Sequence, residues 1–408
     1  MTWRRASTAS ASCSARPTDR HAGRGARGPA GALQARPPAR ALAALSPRAL
    51  AALPKAHLHL HFTGAMRHAT LVDLARQHGI GLPDALTAAW PPRLSAADER
   101  GWFRFQRLYD IARSVLRAPG DVHRLMRETA EDERAEGSGW LEIQIDPSGY
   151  GHRFGGLTPT VELVLEAAHA AATATGVGIG LIIAANRTKH PLEARTLARL
   201  AAQYAGRGVI GFGLSNDERR GAAGEFAAAF RIAARTGLLL APHGGELCGP
   251  ASVRACLDEL HADRIGHGVA SADDGELTKR LAARKITLEV CPASNVALGV
   301  APRAADVPLR TLLGDGVPVA LGADDPLLFG SRLTAQYELA RQAHRLPDEQ
   351  LAELARMSVR GSAAPAATAR KLLAGIDAWL AAVPATSSAA TPPGPLTADA
   401  RPPARDMP

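Results

Sequence analysis

A chain of 408 residues is long enough for one large α/β barrel or two ordinary domains, and an apolar content of 46% is that of a globular protein. No apolar run reaches the length of a membrane span, so no membrane partner is expected. The net charge of +9 is concentrated rather than spread: residues 1–48 hold nine Arg against one Asp, and the remainder is near neutral, so no nucleic-acid partner is expected either.

Taken in chain order, residues 1–48 are rich in Arg, Ala, Pro, Gly and Ser, lack apolar periodicity and read as a disordered tail. A transit peptide is similarly rich in Arg and Ser, but the Gly and Pro content opposes its amphipathic helix. Arg4 and Arg5 are not followed by the apolar core of a twin-arginine signal. From 49 to about 383, apolar β-branched runs alternate with Ala/Leu/Arg/Glu-rich helical segments. The runs are HLHLHF (57–62), WLEIQI (140–145), IGLIIAA (179–185), VIGFGL (209–214), LLLAPH (238–243), RIGHGV (264–269), TLEVCP (287–292) and VPVALG (317–322). Near-continuous apolar strands between helices predict a parallel sheet covered on both faces. Eight such units predict an α/β fold, a TIM-type (β/α)8 barrel. The longest gap, between the first two runs, predicts a helical insertion after strand 1. Within it "WFRFQRLYDIARSVL" (102–116) puts Trp102, Phe105 and Tyr109 at helical spacing, which suits either a core-facing helix or an apolar cap over the barrel mouth. Residues 384–408 form a second Pro/Ala/Thr-rich tail, again read as disordered. The four cysteines, Cys13, Cys248, Cys256 and Cys291, have no paired spacing, which points to a reducing, cytoplasmic compartment.

Active sites of this fold sit at the C-terminal ends of the strands. His57, His59 and His61 alternate and therefore share one strand face. His243 ends the fifth run, His267 the sixth, and Asp324 and Asp325 follow the eighth. A lone histidine is usually a satisfied core or surface residue, but four at matched strand ends with a carboxylate point to a metal centre. His59 and His61 can bind one ion, and His243 and Asp324 can reach the same point from across the barrel. Imidazole nitrogen and carboxylate oxygen suit Zn²⁺. Four protein ligands plus water exceed the usual three-ligand catalytic pattern, which implies five-coordination or a long Asp contact. Strand four ends in "GLSNDE" without a lysine. Glu218 leaves a second metal open, and one zinc per chain is expected.

The pieces "LPKAHLHLHFTGAMR", "HGGE", "RIGHG", "EVCPASNV" and "LGADDPLLFGS" occur in an order that resembles the adenosine deaminase family of the amidohydrolase barrels, over roughly residues 50–375. The resemblance implies zinc held by His59, His61, His243 and Asp324. It implies that Glu246 protonates purine N1, that His267 orients or deprotonates the attacking water, and that Asp325 meets purine N7. The implied activity is hydrolytic deamination of adenosine and 2′-deoxyadenosine, small purine nucleosides, to inosine-type products and ammonia. The chain also departs from the family. Glu usually stands where His57 is. The sugar-contacting Asp is Thr63, and the glycine facing purine N3 is Asn216, while Gly64 is retained.

The chemistry agrees with these roles. Attack at C6 pushes electron density onto N1, and a positioned acid there contributes about 10²–10⁴ in rate. Zinc lowers the pKa of water toward ~7, and Asp325 needs a raised pKa to donate to N7. Plainer readings are Glu246 as a first-turn carboxylate and Asp325 as a helix cap. Alternative functions are deamination of adenine or aminodeoxyfutalosine, or a non-catalytic, metal-stabilised purine-binding module. The H-x-E…P-C-x-x-C deaminase architecture is excluded because "CPAS" supplies one cysteine. An esterase is excluded because no G-x-S-x-G accompanies "HGGE".

Overall fold

The computed structural model describes residues 48–382. The tails expected over 1–48 and 384–408 lie outside the described residues except for Arg48, whose guanidinium pairs with Asp348 at 3.0 Å. Each of the eight apolar runs is a strand: β1 (Lys55–His61), β2 (Ser138–Ile145), β3 (Gly178–Asn186), β4 (Val209–Ser215), β5 (Leu239–Gly244), β6 (Arg264–His267), β7 (Thr287–Val290) and β8 (Val319–Leu321). They pair in sequence order, all parallel. The strands are apolar almost throughout because side chains of both faces are buried, one set inside the barrel and the other under the surrounding helices. Among the described residues no helix is long and apolar enough to cross a membrane.

The barrel closes between β8 and β1 through two backbone hydrogen bonds. The His61 amide donates to the Asp324 carbonyl at 3.0 Å, and the Asp324 amide donates to the His59 carbonyl at 3.1 Å. This seam therefore fixes three of the expected metal ligands relative to one another.

A buried charge network fills the opposite end of the barrel. Arg264 donates from Nε to Glu289 Oε1 at 2.8 Å, from Nη2 to Glu142 Oε2, and from Nη1 to the Gly361 carbonyl at 2.8 Å. Glu142 Oε1 also accepts from Trp140 Nε1 at 2.9 Å and from the Ala363 amide at 2.6 Å.

The insertion after β1 contains a helix over Glu99–Ser114, its first turn capped by the Asp98 carboxylate accepting from the Gly101 amide. Trp102 and Phe105 are buried, and with Tyr109 they line the cavity at the barrel mouth. The helix is thus both apolar packing and cap: Phe105 stacks on Phe329, centroids 5.8 Å apart, on the segment following β8.

Candidate active site

His59 and His61 project from β1, His243 from β5, and Asp324 follows β8. Ligand atoms of His59, His61 and His243 lie within 4.8 Å of one another, as do those of His59, His267 and Asp324. Gly266 makes room for this convergence, since a Cβ there would lie 2.9 Å from His59 Cε1 and 3.2 Å from His243 Cγ. His267, Asp324 and Asn216 all hold positive φ (61°, 62° and 82°). Non-glycine residues rarely occupy that region, and such strain gathers at functional sites.

The donor set fits a divalent cation on several counts. His59 Nδ1 is bonded to Glu289 Oε2 at 2.7 Å, which orients the ring, while its Nε2 is buried without a hydrogen-bond partner. Burial pulls the His59 pKa down, but Asp324 and Glu289 outweigh it and hold it at about 10, so this place favours positive charge. The Nε2 atoms of His61 and His243 approach to 3.2 Å. Asp324 turns Oδ1 toward His61 Nε2 at 3.2 Å and accepts on Oδ2 from the Ser294 hydroxyl at 2.5 Å. His57 is not part of the cluster. Its Nδ1 bonds Glu133 at 2.8 Å and its Nε2 accepts from the Ala323 amide at 3.0 Å, bracing the segment that carries Asp324.

Glu246 stands beside the cluster, its Oε1 3.7 Å from His267 Nε2. Burial pushes its carboxyl well above the usual carboxylate range, and the charges of Asp324 and Glu218 add to that. Glu218 is occupied by the backbone, accepting from the amides of Gly245 (2.5 Å), Glu246 (2.9 Å), Leu247 (2.6 Å) and Cys248 (3.1 Å). It fixes the loop that presents Glu246, which leaves it poorly placed to bridge a second ion. Burial, with the neighbouring Asp324 charge, also raises Asp325 well above its normal value, and Asp325 Oδ1 has no hydrogen-bond partner. A Cβ at Gly64 would overlap the Asp325 carboxyl, so Gly64 acts as packing room for that acid.

These groups face a cavity of roughly 690 Å³, its open mouth included. His61, His243, Glu246, His267, Asp324, Asp325 and Asn216 line it. His59 is fully buried and does not line it, and Thr63 is withdrawn from the wall: it is 0% exposed and hydrogen-bonded to the Tyr150 hydroxyl at 2.5 Å. The Asn216 side chain ties the cap helix to β4, accepting from Trp102 Nε1 at 3.2 Å and donating to Gln106 at 2.9 Å. Sequence reasoning missed Gln144, Arg113, Asp146, Asn186 and Tyr150 on the wall. For Gln144 a signal existed: Glu142, Gln144 and Asp146 alternate at the end of an apolar strand.

Residues 54–379 match the adenosine deaminase family model. The chain belongs to the adenosine deaminase family. It is 67% identical over 333 residues to a Streptomyces virginiae protein named adenosine/adenine deaminase, covering 82% of this chain and 98% of that one. Among solved structures it is similar to the adenine deaminase of Arthrobacter aurescens, with a TM-score of 0.75 and 31% identity over 81% of this chain and 99% of that one. A zinc-bound amidohydrolase from Burkholderia ambifaria is also similar, with a TM-score of 0.72 and 25% identity over 81% of this chain and 92% of that one. Family membership makes the chain a deaminase of the hydrolase type.

Proposed function

We infer that the chain hydrolytically deaminates a 6-aminopurine with one zinc ion held by His59, His61, His243 and Asp324. The observation that carries this reading is the pair of buried carboxyls, Glu246 and Asp325, both pushed toward the neutral form beside the histidine cluster. A neutral acid can donate to a ring nitrogen, so the two suit N1 and N7, which flank the C6 side of a purine. Zinc bound at the cluster supplies a water acidified toward neutrality, ~7. Glu246 gives its proton to N1 as the ring loses aromaticity, and Asp325 holds N7. Burial, aided by the charge on His59 and opposed by Asp324, lowers the His267 pKa to about 3. A neutral imidazole with an open nitrogen can hold the attacking water in register. Of that water's two protons, one goes to the departing nitrogen and the other restores Glu246. The C6–N bond breaks, a C6–O bond forms, and ammonia leaves.

Adenosine and 2′-deoxyadenosine are the first reading for the whole substrate. The cavity extends past Arg113, Asn186 and Asn216, which also line an outer groove, leaving room for a substituent at N9. Adenine is the second reading. It is supported by the similarity to the Arthrobacter aurescens protein and by Thr63, whose hydroxyl is engaged with Tyr150 rather than turned to the cavity. The deciding experiment is ultraviolet turnover of adenosine, 2′-deoxyadenosine, adenine and aminodeoxyfutalosine by the zinc-loaded protein, with ammonia release as the stoichiometric check. Binding of these compounds without turnover would instead identify a purine-binding module.

A further inference from the structure

Gln144 is a wall residue that the chemistry above leaves without a task. It projects into the cavity from β2, where it is the register partner of His61 on β1 and Ile182 on β3. It is 1% exposed, and neither Oε1 nor Nε2 has a hydrogen-bond partner. Burying a carboxamide with both ends unpaired is costly, and native proteins keep such groups where something else binds them. Small residues surround its tip. Oε1 would lie 3.5 Å from a Cβ at Gly213 on β4, and a Cβ there would also lie 3.5 Å from the Ala184 Cβ on β3. The carboxamide therefore crosses the β2–β4 half of the barrel, while His59, His61, His243, His267, Glu246, Asp324 and Asp325 all come from β1, β5, β6 and β8 or the segments following them.

Purine geometry then singles out one atom. In the six-membered ring N3 lies directly across from C6. With C6 at the histidine cluster, and with N1 and N7 taken by Glu246 and Asp325, N3 points away from β1, β5, β6 and β8 toward the opposite half. N3 is an acceptor only, and a carboxamide has two N–H donors. At the position that the resemblance gives to N3, the Asn216 carboxamide is already engaged with Trp102, Gln106 and the Asp217 amide, so the asparagine that replaces the family's glycine brings no free side-chain donor to N3.

We propose that Gln144 is a substrate-binding residue whose Nε2 donates to purine N3, fixing the ring so that C6 faces the metal cluster. The assignment rests on the 6-aminopurine reading above, and the test separates the two. Zinc-loaded wild type, Gln144→Met and Gln144→Leu are compared for kcat/KM on adenosine and adenine, for the inhibition constant of 3-deazaadenosine, in which C–H replaces N3, and for thermal unfolding. Both variants remove the donor and keep an apolar chain of similar bulk. The expected result is a loss of about 10- to 100-fold in kcat/KM on the better natural substrate, with the 3-deazaadenosine constant within about threefold of wild type. The unfolding midpoint should be unchanged or higher, because two unpaired amide atoms are gone. An equal loss toward the 3-deaza compound, kcat/KM within about threefold of wild type, or a lowered midpoint in both variants would each overturn the assignment. Failure of the wild type to deaminate any 6-aminopurine would remove the underlying reading and this one with it.

Discussion

The two ends of the barrel interior use buried polarity in opposite ways. At the N-terminal end of the strands, Arg264 is matched by Glu142, Glu289 and the Gly361 carbonyl, and Glu142 is matched again by Trp140 and Ala363. At the C-terminal end, His59 Nε2, His243 Nδ1, His267 Nδ1, Asp325 Oδ1 and both amide atoms of Gln144 are buried and unpaired. A satisfied network fixes a structure, whereas a cluster left open stores binding capacity for something outside the chain. Glu289 joins the two regimes, with one oxygen on Arg264 and the other on His59.

Changes at the open end should abolish function and spare the fold, and changes at the closed end should do the reverse. The largest effect is expected from the His59→Ala, His61→Ala double variant. Metal content should drop from about one ion per chain to near zero, read by elemental analysis, with turnover below detection. Unchanged metal content would break the assignment of these ligands. Next comes Arg264→Leu, which strands two buried carboxylates and should lower unfolding free energy by about 3–5 kcal/mol in denaturant titration. A cost under ~1 kcal/mol would show that the closed end is no structural fixture.

Glu246→Gln should keep metal and fold yet lose on the order of 10²-fold or more in turnover, because the amide cannot supply the acidic proton. A related expectation concerns pH. Burial, then the charges of Asp324 and Glu218, raise the Glu246 pKa. The proton-bearing form is the active one, so kcat/KM should fall as pH rises through that raised value and hold below it until another group intervenes. A profile with no alkaline limb would remove Glu246 as the acid. The smallest effect belongs to Thr63. A neutral hydroxyl already bonded to Tyr150 offers a ribose 5′-hydroxyl little. Adenosine and 5′-deoxyadenosine should therefore differ by less than about tenfold in kcat/KM, ~1.4 kcal/mol. A hundredfold preference for adenosine would place a 5′-hydroxyl contact elsewhere on the wall.

The strands were legible in the sequence because parallel strands buried on both faces must be apolar runs, and all eight runs became strands. That His59, His61, His243, His267, Asp324 and Asp325 gather at one mouth was legible because the fold brings strand ends together, whereas Glu246 was singled out by the family resemblance. The rest depended on partners far along the chain. Thr63 is 87 residues from the Tyr150 that engages it, and Glu218 is 27 to 30 residues from the amides it gathers. The task of His57 is visible only once Ala323 lies against it. For Gln144 the polar alternation along β2 is visible in the sequence, but nothing in WLEIQI says that its amide ends without a partner.

The seam between β8 and β1 has a temporal consequence. The backbone bonds that draw His59, His61 and Asp324 together join segments some 265 residues apart, near the beginning and the end of the barrel. Contacts of such long range carry the heaviest loop-closure cost and tend to form late, while chains emerge from the ribosome N-terminus first. The two histidines of β1 are synthesised early and wait for almost the whole barrel before Asp324 arrives. A nascent chain halted before Gly322 should hold most of its strands and have no catalytic centre, so the appearance of activity during synthesis would time the closing of the ring.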